Sequence, residues 1–241
     1  MAHKTASFLS YPVYSGNLNQ INFTNKTLIN TINQYSFCIA QKDKEFKQAL
    51  QQSDVLLPDG IAITLSVKFL TGKKINKIAG ADVHQYLLNH YNNIAGTCFY
   101  LGSSEKTLAK IVARLHNEYP NLKVGTYSPP YKAQFNDEDN HKMIEAVNKF
   151  KPDVLFIGLT APKQEKWAFA HKNELNATTI CAIGAVFDFY AGTIPRPSKF
   201  WINLGLEWFI RLIKEPKRMW KRYLYYGPIF IASVIKQKIF L

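Results

Sequence analysis

Lys163, Gln164 and Glu165 form a polar triplet that follows a proline at the start of a predicted helix. The apolar run Val154–Ile157 comes shortly before it and is typical of a strand buried on both faces. Ligands of open α/β sheets bind between strand ends and helix starts. A cation, an amide and a carboxylate at such a place favour a polar, phosphorylated ligand. Solvated charges on a capped helix are the alternative explanation.

Asp59 is a second candidate for chemistry. It ends the predicted strand Asp54–Asp59, and Gly60 then allows a sharp turn into the predicted helix Ile61–Leu70. Asp59 therefore falls between a strand end and a helix N-terminus. Aspartate is also a favoured N-cap, so a purely structural role competes with the chemical one.

Two further turns raise the question of phosphate or metal binding. The turn at Gly102, Ser103 and Ser104 follows a predicted strand, and its backbone N–H groups are suited to a diphosphate at a helix N-terminus. Turns of this composition also cap helices without any ligand. The acidic triplet Asp137–Asp139 spells a D-x-D, but helix N-terminal turns favour acidic residues anyway. We therefore expect no metal site.

Several classes of protein are excluded or disfavoured by what the sequence lacks. It contains neither G-x-G-x-x-G after a strand nor G-x-x-x-x-G-K-[ST], so neither a dinucleotide fold nor a P-loop is expected. Cys38, Cys98 and Cys181 lie in apolar runs and offer no disulfide framework or zinc spacing, which favours a reducing cytoplasm. No signal peptide and no apolar run long enough to span a bilayer is seen, so we expect a soluble or peripheral protein.

The elements that would position these residues alternate between strands and helices. Strands are predicted at 54–59, 97–101, 123–127, 153–158 and 179–183, with helices between them and a strand leading into a helix over 27–40. Such alternation implies a mostly parallel, Rossmann-like α/β sheet flanked by helices, with its loops gathered at one edge. We expect a core at 1–198 and a helical appendage at 199–241.

The charge of the chain is concentrated in that appendage. The whole sequence carries a net charge of +13, and residues 199–241 contain nine Lys or Arg against two Glu, a net charge of +7. Arg211, Lys214, Arg218 and Lys221 recur at helical spacing and are predicted to share one face. Interleaved Trp and Tyr residues and the short apolar segment Ile229–Ile235 favour contact with an anionic membrane surface. A helix packed on the core with a solvated basic face is the alternative.

Six short motifs occur together in a fixed order. From about Thr27 to Tyr223 the chain resembles the WecG/TagA/CpsF family, also known as glycosyltransferase family 26. The motifs are Thr31-Ile32-Asn33, Leu57-Pro58-Asp59-Gly60, Pro162-Lys163-Gln164-Glu165, Ala182–Asp188 with Ala191-Gly192 and Arg196-Pro197, Gly205-Leu206-Glu207-Trp208, and Arg211-Leu212 with Glu215-Pro216-x-Arg218.

This resemblance implies an inverting transfer of a sugar from a UDP-sugar to a polyprenyl-diphosphate-linked sugar, without a metal cofactor. The reaction would take place at the cytoplasmic face of the membrane, in the synthesis of a cell-surface polysaccharide. In the family's pattern Asp59 is the proposed base, while Thr31, Asn33 and Gln164 line the pocket. Arg211, Arg218 and Arg222 would complete the site over the leaving diphosphate.

Other points are left open by the sequence. Asp188 is interpreted as a ligand of a ribose or sugar hydroxyl, with a structural hydrogen bond as the alternative. Arg196 stands in Arg-Pro-Ser where the family usually has Arg-Ala-Pro, and Lys77 stands where the family commonly has Arg. A nucleic-acid-binding module and a nucleotide-sugar epimerase or hydrolase are the rival functions, although we expect no nucleic acid partner. The sugars are not predicted, and a homo-oligomer is possible.

Overall fold

A computed structural model describes residues 3–23 and 25–240, without the side chains of Lys199 and Asn203. The outer bounds of the two predicted parts, Met1 and Leu241, lie outside these residues. The described strands are β1 (Thr5–Phe8), β2 (Tyr11–Tyr14), β3 (Thr27–Ile32), β4 (Val55–Pro58), β5 (Thr97–Gly102), β6 (Lys123–Tyr127), β7 (Val154–Gly158) and β8 (Thr179–Ala182).

The helices follow the strands in alternation and then continue alone. They are α1 (Gln34–Ala40), α2 (Lys44–Gln51), α3 (Ile61–Thr71), α4 (Gly80–Asn93), α5 (Glu105–Glu118), α6 (Asp137–Phe150), α7 (Lys163–His171), α8 (Ala185–Tyr190), α9 (Lys199–Asn203), α10 (Glu207–Lys214), α11 (Pro216–Trp220) and α12 (Tyr226–Ile239). A short 3-10 helix lies at Leu18–Gln20, and one π-helical turn at Lys221–Tyr225 joins α11 to α12.

The described strands form one sheet in the order β1-β2-β4-β3-β8-β7-β5-β6. All neighbouring pairs are parallel except β1 with β2. The expected α/β class with a mostly parallel sheet is therefore confirmed. Because the strands from β4 to β6 run in the same direction, their carboxyl ends and the loops that follow lie along one edge.

Both faces of the sheet are covered by helices. Alternate residues of β4, β5, β7 and β8 enter different clusters of buried side chains, as Leu155 and Phe156 of β7 do. Phe156 packs with Val83 and Leu87 of α4 on one side. Leu155 packs on the other side with the buried residues of α6 and α7. This double burial explains why β7 is a continuous apolar run up to Gly158 rather than apolar at every second position.

The hairpin of β1 and β2 was not predicted from the sequence. Its two loop residues, Leu9 and Ser10, have φ angles of 46° and 71°. Tight two-residue hairpin loops of this kind usually carry Asn or Gly, which adopt positive φ most easily. The sequence at this turn therefore lacks the usual signal, although the alternating burial of β1 would fit a strand.

The C-terminal helices differ from expectation in two ways. Arg211, Lys214, Arg218 and Lys221 do not share one helical face, because α10 ends at Lys214 and α11 begins at the next proline. Proline suits a first helical turn but lacks the N–H that would continue the preceding helix. Arg211 turns inward, whereas the other three are exposed.

The segment Ile229–Ile235 packs partly on the core. Phe230 of α12 lies between Phe8 and Phe37, with ring centroids 5.9 and 5.5 Å away, and Val234 is also buried. The residues between them, such as Ile231, are exposed. The alternative expectation of a packed helix therefore holds for one face of α12. Among the residues that the structure describes, no helix combines the length and the apolar character needed to cross a bilayer.

Candidate active site

The ends of the adjacent strands β3 and β4 bring Asn33 and Asp59 side by side. The Asp59 N–H donates to the carbonyl of Ile32 at 2.9 Å, which fixes the chain as it leaves the sheet. Asn33 caps α1, because its Oδ1 accepts hydrogen bonds of 3.0 Å from the backbone N–H groups of Tyr35 and Ser36. Its side chain also hydrogen-bonds to the Asp59 carboxylate.

The Asp59 carboxylate does not cap a helix. The N-cap of α3 is Gly60, with a φ of 103°, and no side chain there bonds to the first helical turn. Glycine adopts this angle without the strain that another residue would meet. Asp59 is therefore not the N-cap of α3, and this half-buried residue lines a cavity.

The C-terminal helices cover the ends of β3 and β4 and enclose a cavity of about 620 Å³. Glu207 of α10 pairs with Lys77 across 3.2 Å. The guanidinium of Arg222 lies 4.6 Å from the ring centroid of Tyr35. Residues far apart in sequence thus share one wall. The lining of the cavity includes the charged and polar residues Asn33, Asp59, Lys77, Glu207, Arg211 and Arg222.

The surroundings of Asp59 make it more basic than an exposed aspartate. Burial raises the pKa of its carboxyl group to about 6, and the negative charge of Glu207 adds to that rise. Arg211, Lys77 and the hydrogen bond from Asn33 act in the opposite direction and limit the shift of the pKa. A group with this pKa is mostly ionised at pH 7 but accepts a proton more readily than a surface carboxylate. This is the condition that suits a general base.

Two arginines near this region carry buried N–H groups without a partner. The Nε atoms of Arg211 and Arg196 find no acceptor among the described residues. Arg211 also lies over the ring of Phe189, and Arg196 contacts the Asp82 carboxylate at 3.4 Å. A buried cationic donor left unpaired is costly, so an anion that enters here would satisfy groups that the protein leaves open.

Gln164 and Glu165 lie at the sheet edge, where they are 5% and 3% exposed. The Gln164 Oε1 accepts from the N–H of Gly184 at 3.1 Å, and its Nε2 donates to the Glu165 Oε1 at 2.8 Å. Burial raises the pKa of Glu165 to about 7, and its Oε2 has no partner among the described residues. A side chain at position 184 would collide with Gln164, so this glycine permits the close contact.

The other sheet-edge candidates have partners of their own. Lys163 donates to the carbonyl of Lys132 at 2.7 Å and lies over the ring of Phe135. The Ser103 N–H donates to the carbonyl of Gly158 at 3.1 Å, so this N–H is already used within the protein. Gly102 has a φ of 119° and lies so close to Gly158 that a Cβ would clash.

The remaining candidates are spread around the same edge. Thr31 is half-buried on β3, opposite Leu57. The Asp188 carboxylate accepts from the hydroxyl of Thr193 at 3.2 Å, which is the structural hydrogen bond left open as its alternative. Arg218 does not line the cavity but pairs with Glu215 at 2.7 Å. The roles expected of these three stay predictions.

The spacing of strands indicates how the candidates are arranged. Neighbouring strands lie about 4.8 Å apart, so Asp59 after β4 is roughly 10 Å along the edge from the end of β8 at Gly184. Gly102 at the end of β5 is roughly 19 Å from Asp59 by the same measure. The predicted residues therefore form a row rather than a single cluster, with the cavity at one end.

The acidic triplet Asp137–Asp139 is part of a helix start. The Asp139 carboxylate accepts a hydrogen bond from the Asn136 N–H and forms an ion pair with Lys132 at 2.8 Å. The structural interpretation of the triplet accounts for these contacts. In the described part of the chain, no three His, Cys, Asp or Glu side chains are grouped closely enough to hold a metal ion.

Sequence reasoning gave no role to several cavity residues. Glu207 belongs to the Gly205–Trp208 motif, and Lys77 stands where the family commonly has Arg. Neither observation predicts their ion pair, which joins segments 130 residues apart. Tyr35, Trp208 and Tyr223 line the cavity as well. The sequence signals for Glu207 were its place in the Gly205–Trp208 motif and its negative charge in a mostly basic segment.

Comparison with known proteins identifies the class to which this fold and site belong. The sequence profile of the Glycosyl transferase WecG/TagA/CpsF family matches residues 12–241. Since the match covers most of the chain, the protein belongs to this family of glycosyltransferases.

Relatives with assigned activities support the same class. A Bacillus subtilis protein is 30% identical over 211 residues, which cover 88% of this chain and 80% of the relative. A Bacillus spizizenii protein is 26% identical, covering 83% and 75%, and a Staphylococcus aureus protein is 25% identical, covering 89% and 82%. Each is named N-acetylglucosaminyldiphosphoundecaprenol N-acetyl-beta-D-mannosaminyltransferase.

Proposed function

We propose that this protein transfers a hexose of the N-acetylmannosamine type from a UDP-sugar to an N-acetylglucosaminyl-diphosphate-polyprenol. The names of its relatives support this choice of acceptor and sugar. The observation that carries the chemistry is that Asp59, which is not the N-cap of α3, lines the same cavity as Arg211 and Arg222.

The mechanism follows from the groups around the cavity. An acceptor hydroxyl attacks the anomeric carbon while Asp59 takes its proton. A new carbon–oxygen bond forms as the bond from the anomeric carbon to the diphosphate oxygen breaks, and the electron pair leaves with UDP. One displacement of this kind inverts the anomeric centre. A positioned base contributes about 10²–10⁴-fold to such a step.

The arginines would stabilise the charge that develops on the leaving diphosphate. Arg211 has a buried Nε–H that lacks an acceptor in the described part of the chain, and Arg222 reaches the same cavity. Cationic clamps of this kind stabilise transferring phosphate groups in enzymes. We therefore propose that transfer proceeds without a bound metal, and that the donor extends from Asp59 along the sheet edge toward Gln164 and Gly102.

We also propose that the enzyme works as a peripheral protein on the inner face of the cell membrane. Its acceptor would be embedded in that membrane through the polyprenyl chain. The exposed basic residues of the appendage, such as Lys214 and Lys221, would be attracted to anionic headgroups by about 1 kcal/mol each. Binding to vesicles that contain phosphatidylglycerol, compared with neutral vesicles, measures this attraction.

The decisive experiment offers the purified protein several UDP-sugars with a short, water-soluble N-acetylglucosaminyl-diphosphate lipid. We expect UDP release coupled to a disaccharide product of inverted configuration, read by NMR, and unchanged turnover after EDTA treatment. A product that forms without the acceptor would instead indicate an epimerase or hydrolase. Strict dependence on added Mg²⁺ or Mn²⁺ would contradict the metal-free mechanism and direct attention back to Asp137 and Asp139.

A further inference from the structure

The lining of the cavity that contains Asp59 combines two kinds of chemistry. Asp59, Lys77 and Arg211 supply charged groups. Other lining residues come from α3 and α12, and several of these are apolar. Ile61 and Leu65 come from α3, and Ile231 comes from α12.

The apolar part of this lining is open for a structural reason. Tyr226, Phe230 and Val234 of α12 are buried in a cluster with residues of α1 and α3, whereas Ile231 is exposed and lines the cavity. Gly227 also lines the cavity, and a Cβ at this position would meet no atom within 4 Å. The two helices therefore form the sides of a groove with no side chain filling the space beside Gly227.

The wall formed by α3 is unusually apolar for an exposed helix face. Ile61, Leu65 and Phe69 are spaced four residues apart, so they lie in one row about 12 Å long. Leu65 is 57% exposed, as is Ile231 on the opposite wall. Large apolar side chains that are exposed together, rather than singly, mark sites of interaction. Lys238 lies over the ring of Phe69 at the far end of this row.

We propose that the groove between α3 and α12 binds the first isoprene units of the polyprenyl chain of the acceptor. This inference rests on the proposed function. A polyprenyl diphosphate joins a strongly anionic head directly to an apolar chain. One cavity presents both the cationic groups and the apolar side chains, and Ile61 and Leu65 lie progressively further along α3 from Asp59. Burying isoprene carbons there would stabilise the complex in proportion to the apolar area removed from water.

The proposal is tested by the length of the lipid chain. Two water-soluble acceptors are compared below their aggregation concentrations, one with a single isoprene unit and one with three, both on N-acetylglucosaminyl diphosphate. We expect kcat/KM of the wild-type protein to be about tenfold higher with three units than with one, because more apolar surface is buried. The double variant Leu65→Gln/Ile231→Gln should reduce this ratio to near one.

A matched control separates the groove from exposed apolar surface in general. Ile94 is 61% exposed at the end of α4 and does not line the cavity. Ile94→Gln should keep the wild-type ratio between the two acceptors. Circular dichroism and thermal melting of all variants establish that each one is folded.

Several results would overturn the proposal. A wild-type ratio near one, or an equal loss with both acceptors in the double variant, would mean that the groove does not bind the chain. If the double variant loses vesicle binding or self-association but keeps the ratio, the groove contacts the bilayer or a second copy instead. Failure of the proposed function is distinguishable, since the wild-type protein would then form no disaccharide with either acceptor.

Discussion

The sheet edge around Gln164 and the cavity around Asp59 are both polar, but they use their polar groups differently. At the sheet edge, Gln164 bonds to Gly184 and Glu165 within the protein, and glycines bring the chain segments into contact. In the cavity, Asp59 is not an N-cap, and the Arg211 Nε–H has no acceptor among the described residues. The sheet edge is held mainly by its own hydrogen bonds, although the buried Oε2 of Glu165 has no partner in the described part of the chain. The cavity presents a carboxylate and cationic groups along an open lining.

This difference predicts that substitutions in the cavity will act mainly on catalysis. Substitutions within the sheet-edge network will act first on the stability of the folded protein. The expected effects below run from the largest to the smallest.

The largest effect is expected for Asp59→Asn. This change keeps the shape of the side chain but removes the proton acceptor, so kcat should fall by about 10²–10⁴-fold. UDP binding, measured by calorimetry, should persist because the fold and the arginines are unchanged. Turnover close to that of the wild-type protein would show that the base lies elsewhere.

Arg211→Gln should lower kcat by about 10²-fold, because removing one hydrogen-bond donor to a developing negative charge reduces kcat by at least that factor in other enzymes. Lys214→Gln is the matched control, because Lys214 lies on the same helix but is exposed and outside the cavity. Both variants are assayed with the soluble acceptor, so membrane attraction does not contribute. An equal loss in the two variants would mean that only the net charge of the helix matters.

Glu165→Gln tests the other side of the comparison through stability. Burial raises the pKa of Glu165 from 4.5 to about 7 in the folded protein, so ionisation favours the unfolded chain as the pH rises between these values. The penalty is absent below pH 4.5 and complete above pH 7, and it amounts to at most about 3 kcal/mol. The glutamine keeps an acceptor for Gln164 but removes the charge. Its free energy of unfolding in urea should therefore rise relative to wild type between pH 5 and pH 8.

If the free energy of unfolding of the variant relative to wild type is the same at pH 5 and at pH 8, this explanation is contradicted. That result would mean that Glu165 ionises in the folded protein as easily as in the unfolded chain.

The smallest effect is expected for Glu207→Gln. The negative charge of Glu207 helps to raise the pKa of Asp59, so its removal should lower that pKa. Because only the ionised base is active, the acid limb of the profile of kcat against pH should move to lower pH. Freeing Lys77 from its ion pair acts in the same direction. A shift to higher pH would mean that the two carboxylates do not interact as the structure indicates.

Much of the sheet was predictable because its central strands are short apolar runs separated by glycine and proline. The bounds of β6 were predicted to the residue, and Asp59 was identified as a candidate base from its motif. The hairpin of β1 and β2 was missed, since Leu9 and Ser10 are not typical residues for its turn. Without Asn or Gly at the turn, the local sequence does not indicate a tight hairpin.

The cavity was less predictable than the fold, because its walls depend on long-range packing. The ion pair of Lys77 with Glu207 and the stacking of Arg222 on Tyr35 join distant parts of the chain. No periodic pattern in either segment indicates such a contact. The resemblance to a family pointed to the basic appendage, but it gave no role to Glu207 and none to the groove between α3 and α12.

The packing of α12 on α1 has a consequence for the order of events during synthesis. A ribosome releases residues 34–40 long before residues 226–234, yet Phe37 and Phe230 are in contact in the finished protein. The parallel sheet is able to form earlier, since domains fold as their residues emerge. Arg211 and Arg222 can reach the cavity that Asp59 lines only after their own late segment has been synthesised. The nascent chain therefore carries its base for most of translation without the cations that would make it active.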